Sequence, residues 1–162
     1  MNSYKLDIAY DGTNYHGFQK QKDKPTIQEK LEEALDILLD SYELNYSGRT
    51  DAGVHAKSQI INIKTDSVLD LKKINSINKM LGDSISINSI KIVSKNFHAR
   101  FRAIERTYKY LVRDSSANYP HLNNHTYQHC SLLNLEDLNK VAKLFIGAVS
   151  YTHLRAHETL IY

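Results

Sequence analysis

The chain has 162 residues, 41% of them hydrophobic and 24% charged, with a net charge of +3 and an isoelectric point near 8.8. This is the size and balance of an ordinary soluble globular domain, and no apolar run approaches the ~20 residues of a membrane helix. The single cysteine, Cys130, excludes an internal disulfide and a CxxC metal pair.

The opening MNSYKLDIAYDG carries neither the basic flank nor the apolar stretch of a signal peptide, so cytoplasm is the default location. Within it, Tyr4, Leu6, Ile8 and Tyr10 alternate onto one face and predict a half-buried strand over 4–10. The polar, glycine-bearing DGTNYHGFQKQKDKP follows as a loop, and Thr26 with Glu29 three residues on forms a capping-box signal. The helix it opens places Ile27, Leu31, Ala34, Leu35 and Leu38 on a core-facing stripe.

NYSGRTDAGVHAKSQ reads as a second loop, followed by a strand at about 58–65. A second helix is expected over 70–81, with Leu71, Ile74, Ile77 and Leu81 sharing a face. Residues 85–94 read as a strand whose alternation slips between Ile87 and Ile90, which a bulge explains. RTYKYLVRD, about 106–114, alternates again and is expected as a strand, and LEDLNKVAKLFI, about 135–146, as a helix. Strand, helix, strand, helix, strand, strand is the order of an α+β fold, a mainly antiparallel sheet with helices on one face.

The segment richest in chemistry is Gly48-Arg49-Thr50-Asp51-Ala52-Gly53-Val54-His55-Ala56. Glycines on either side of a carboxylate let the backbone approach a ligand closely. An arginine two positions away favours the ionised form that a nucleophile needs. Taken as spacing alone, the pattern reads first as a tight turn carrying a surface ion pair. Basic residues cluster at Lys20, Lys22 and Lys24 and again at Arg100, Arg102, Arg106, Lys109 and Arg113. Eleven tyrosines add faces on which bases stack. His121, His125, His129 and Cys130 fit no standard zinc spacing, so no metal site is expected.

GRTDAGVHA is identical to the signature of the TruA family of tRNA pseudouridine synthases, and the chain resembles that family over about residues 4–148. YDGTNYHGFQKQ is similar to the family's first motif, with Phe18 where tryptophan is usual, and FHARFRAIERTYKYLV resembles a later block. The resemblance implies a ferredoxin-like first subdomain over 1–104, the start of a second over 105–148, and a tail from 149 to 162 outside the family pattern.

It further implies isomerisation of uridine to pseudouridine in the anticodon stem-loop of tRNA, with no cofactor and within a homodimer. Asp51 would be the nucleophile. Arg49 would hold the loop or orient the flipped nucleotide, and Tyr108 would stack on the target uracil. Lys20, Gln21 and Arg106 would touch the tRNA backbone. Each has a plainer structural reading: Tyr108 as a core strand residue, the lysines as a solvated loop, and His55 and His98 as structural hydrogen-bonders.

Two rival readings stand beside this one. LDIAYDGT ends like the strand of aspartate-nucleophile phosphohydrolases, but Ala9 stands where those enzymes need a second aspartate, and Asp11 would carry that activity. The other rival is a catalytically incompetent, RNA-binding fragment of a synthase.

Overall fold

A computed structural model describes residues 1–147, which divide between two compact units: Met1–Thr107, and a second beginning at Tyr108. The expected features of the tail from 149 to 162 lie outside the described residues.

In the first unit the order is β1 (Asn2–Tyr10), α1 (Ile27–Leu38), β2 (Glu43–Tyr46), β3 (Ala56–Thr65), α2 (Leu71–Leu81) and β4 (Ile85–Val93). The sheet runs β2-β3-β1-β4 with every neighbouring pair antiparallel, which is the ferredoxin-like βαββαβ arrangement. The core lies between one sheet face and the two helices. Tyr4, Leu6, Ile8 and Tyr10 of β1 and Ile61 and Ile63 of β3 meet Ile27, Leu31 and Leu35 of α1 and Ile74 and Ile77 of α2. Burying each such aliphatic side chain contributes roughly 1.5–3 kcal/mol.

Thr26 caps α1 as its sequence signal announces, and Asp70, expected as the first residue of the second helix, is instead its N-cap. The Thr26 hydroxyl accepts the Glu29 amide at 3.3 Å, and the Asp70 carboxylate accepts that of Lys73 at 2.8 Å. The slip in β4 is a bulge. Asp7 pairs with Ser89 but Ile8 with Ile87, so Asn88 is the extra residue, and Ile85 and Ile87 stay on the core face.

Three expectations need correction. β2 was not expected and overlaps the first two residues of the segment read as loop from Asn45; it has only four residues and none is fully buried, so its periodicity is too short to register. Leu71 is 73% exposed, because Leu69, just ahead of the N-cap, takes the buried place and donates its amide to the Tyr4 hydroxyl at 3.2 Å. The strand expected over 106–114 shrinks to β5 (Val112–Arg113), because the described residues offer it a partner only two residues long, the parallel β6 (Tyr127–Gln128). Alternation gives a segment strand character, but a ladder needs a partner.

The second unit continues through a 3₁₀ turn at Pro120–Leu122 to α3 (Leu135–Ala142), capped by Asn134, and a 3₁₀ turn at Lys143–Phe145. No residue of α3 is buried. Among the described residues no helix is long and apolar enough to cross a membrane.

Candidate active site

The loop that follows β1 and the loop joining β2 to β3 are zipped together by backbone hydrogen bonds. The Phe18 amide donates to the Thr50 carbonyl at 3.0 Å, and the Gly53 amide donates to the Tyr15 carbonyl at 3.1 Å. Two glycines make this approach possible. Gly17 has φ +92, and a β-carbon there would stand 2.6 Å from the Thr50 carbonyl oxygen. At Gly12 a β-carbon would stand 2.1 Å from the Val54 carbonyl oxygen. Any larger residue at either position collides with backbone.

Side chains reinforce the junction. The Tyr10 hydroxyl lies 2.8 Å from the Thr50 hydroxyl and donates to Gln59 Oε1 at 2.8 Å, while Gln59 Nε2 donates to the Gly48 carbonyl at 2.7 Å. His55 Nδ1 sits 3.3 Å from the Gly12 amide and 3.0 Å from Asp11 Oδ1. Nδ1 accepts from Gly12 when it carries no hydrogen and donates to Asp11 when it does. Asp11 Oδ1 also accepts from the Thr13 amide at 2.9 Å, so this carboxylate organises its own turn.

Asp51 stands at the exposed crest of the loop so held, two residues after Arg49. Its carbonyl closes the turn by accepting the Val54 amide at 3.2 Å. Among the described residues its carboxylate makes no hydrogen bond or ion pair, so the surface pair with Arg49 suggested by spacing does not form. Asp51 is therefore an acceptor held in place by its backbone and open to an incoming group. The described residues contain no cluster of three or more His, Cys, Asp or Glu side chains able to hold a metal ion.

Beside this loop runs an open groove of about 510 Å³ whose lining includes Arg49, Arg100 and Arg106, with Asn45, His98 and Phe101. Arg106 Nη2 donates to the Ser47 carbonyl at 2.6 Å, which lays the guanidinium along the start of the Asp51 loop. The fully buried Asn62 anchors the backbone between His98 and Arg100, accepting the Ala99 amide through Oδ1 at 2.8 Å. The His98 ring rests 4.3 Å from that of Phe101, and its Nδ1 accepts the Arg100 amide at 3.2 Å. Three guanidinium groups with an aromatic pair form a surface suited to phosphates and bases.

The first unit thus brings Asp51, Arg49 and Arg106 onto one loop and its margin, and adds Arg100. Lys20 is otherwise engaged: its ammonium pairs with Glu32 at 2.9 Å, and that hydrogen bond and charge raise its pKa. Gln21 Nε2 donates to the His16 carbonyl at 2.7 Å, fastening its own loop. Phe18 is fully buried, its ring 4.7 Å from Tyr46 and 6.0 Å from Tyr10, so it packs beneath the junction. Tyr108 is the first residue of the second unit and is 67% exposed, which sets aside its reading as a core residue. The residues that hold the loop carry no sequence signature of that role. Tyr10 was legible only as an alternating strand position, and Gln59 gave no signal.

A family model described as tRNA pseudouridine synthase matches residues 8–102. The chain is 38% identical over 160 residues to a protein of Francisella philomiragia named tRNA pseudouridine synthase A, covering 98% of this chain and 62% of that one. A protein of the same name from Borreliella afzelii is 41% identical over 157 residues, covering 94% and 63%. One from Buchnera aphidicola is 37% identical over 163 residues, covering 96% and 59%. The chain therefore spans 59–63% of the length of these curated relatives.

Proposed function

Because this chain belongs to the tRNA pseudouridine synthase family, we propose that it carries the nucleophile-bearing part of an enzyme that isomerises uridine to pseudouridine in the anticodon stem-loop of tRNA. The observation that carries the reading is the presentation of Asp51: an exposed, unpaired carboxylate on a backbone clamped from both sides, beside a groove bearing three arginines.

The reaction breaks the bond between C1′ and N1, turns the base, and joins C1′ to C5. The C5 proton leaves to solvent and N1 gains one, so atoms and electrons balance with no cofactor. An ionised Asp51 attacks either C6 of the ring or C1′ of the ribose, and both routes need the uridine out of its stack. Extrusion costs a few kcal/mol, offset by stacking. Tyr108 supplies that face in this scheme and helps move the C5 proton. Arg49 orients the flipped nucleotide near Asp51. Arg106, with Lys20 and Gln21, meets the tRNA backbone. The working form is a cytoplasmic homodimer in which each tRNA spans both subunits.

The length relative to the relatives favours a second reading, an RNA-binding piece of such an enzyme that does not turn over. Carbodiimide mapping separates the two. Transcripts treated with the protein should show reverse-transcription stops confined to the anticodon arm, absent with Asp51→Ala. Binding without stops selects the second reading, and stops elsewhere reject the proposed site of action.

A further inference from the structure

The loop bearing Asp51 is gripped at Gly48 and Thr50, the two neighbours of Arg49, by a directed chain of side-chain hydrogen bonds. Gly48's carbonyl only accepts, so the amide nitrogen of Gln59 faces it at 2.7 Å, and Oε1 must turn to the Tyr10 hydroxyl at 2.8 Å. Tyr10 gives its one proton to that oxygen, and its lone pair takes the proton of the Thr50 hydroxyl, 2.8 Å away. The chain runs Thr50 to Tyr10 to Gln59 to Gly48 and closes back on the loop where it began. Tyr10 is 5% exposed and Gln59 8%, so water competes little for these bonds.

We propose that Tyr10 and Gln59 are positioning residues for uridine isomerisation, holding the Arg49–Asp51 segment in its reactive placement. The proposal rests on the reading of Asp51 as nucleophile. The grip leaves the Arg49 side chain free to line the groove, because its backbone is fixed through its neighbours. It also anchors the loop to the two central strands of the sheet, β1 through Tyr10 and β3 through Gln59. Tyr10 therefore has two separable roles: its ring packs in the core near Phe18, and its hydroxyl holds the loop.

Tyr10→Phe keeps the ring and removes the hydroxyl, and Thr50→Val removes the other end of the same bond. We expect either to lower kcat about 10- to 100-fold with KM changed less than about threefold, since a small misplacement of a reacting group is costly. The double variant should lose little beyond either single one, because both sever one chain. Amide exchange in the RNA-free protein gives a second readout. Phe18 and Gly53, whose amides cross the loop junction, should exchange about 10-fold faster or more in Tyr10→Phe, while Ile61 and Ile63 of β3 keep wild-type protection.

Wild-type kcat together with wild-type exchange at Phe18 and Gly53 overturns the proposal. So does an equal acceleration of loop and sheet, which reports lost global stability alone. Should the wild-type chain itself release no product, the kcat comparison moves to the chain extended with the C-terminal part of a relative, and no release there either sinks the isomerase reading. The exchange pattern then still decides: loop-selective acceleration supports the grip, and unchanged protection refutes it.

Discussion

Gly17 and Thr50 are in backbone contact: a β-carbon on Gly17 would lie 2.6 Å from the Thr50 carbonyl oxygen, and Gly17 holds φ +92. The residue after Thr50 is Asp51, so the placement of the candidate nucleophile depends on a hydrogen atom standing where other residues carry carbon. Gly17→Ala should therefore cost both a positive-φ penalty and a displaced loop, about 1–3 kcal/mol in denaturant unfolding. Catalysis should fall by more than that stability loss explains. Wild-type stability and turnover together would show that the contact is loose.

Phe18 fills the space beneath the same junction, fully buried between Tyr10 and Tyr46. Phe18→Ala should destabilise the first unit by about 3–5 kcal/mol, the range for a large aromatic removed from a close-packed core. Chemical denaturation measures this directly, and a loss below about 1 kcal/mol would mean the site collapses around the gap.

The groove arginines should act through phosphate. Arg106→Ala and Arg100→Ala should each weaken binding of an anticodon stem-loop RNA and lower the slope of log affinity against log salt by about one. Titrations at several salt concentrations give the slope. A loss of affinity with the slope unchanged would assign these side chains to structure, in Arg106's case to its bond with the Ser47 carbonyl.

Lys20 should contribute less than its charge suggests, because Glu32 already occupies it. Glu32→Gln should tighten RNA binding at low salt, and Lys20→Ala should weaken it less than Arg106→Ala does. The Lys20 pKa is raised, chiefly by the Glu32 hydrogen bond. Any stability from the pair is thus fully present below the unfolded lysine value and lost only as pH rises through the folded one. Around neutrality, stability should not vary with pH on this account. A Glu32→Gln variant that binds RNA no better than wild type would show that the pair does not restrain Lys20.

The first unit was largely legible from sequence, because its elements are long enough for periodicity to speak. β1 and α1 show their buried stripes, and the slip between Ile87 and Ile90 marked the bulge at Asn88. β2 was not legible: four residues that are at most half-buried carry too little pattern. Over 106–114 only Val112–Arg113 forms a strand, since alternation does not reveal whether a partner strand exists. At the site, GRTDAGVHA announced Asp51, but what holds it did not show. Tyr10 and Thr50 are 40 residues apart and Tyr10 and Gln59 are 49 apart, and hydroxyls on core-facing positions look like packing until the partner is seen.

Whether Asp51 performs uridine isomerisation is read from the release of tritium by a tRNA labelled at C5 of its uridines. Three proteins should be compared: this chain, the chain extended with the C-terminal part of a relative, and the Asp51→Ala variant of that extended protein. The extended protein at least should release tritium, and no release should remain once Asp51 is replaced. Equal release with and without the Asp51 carboxylate, or none from any of the three, would contradict that role of Asp51.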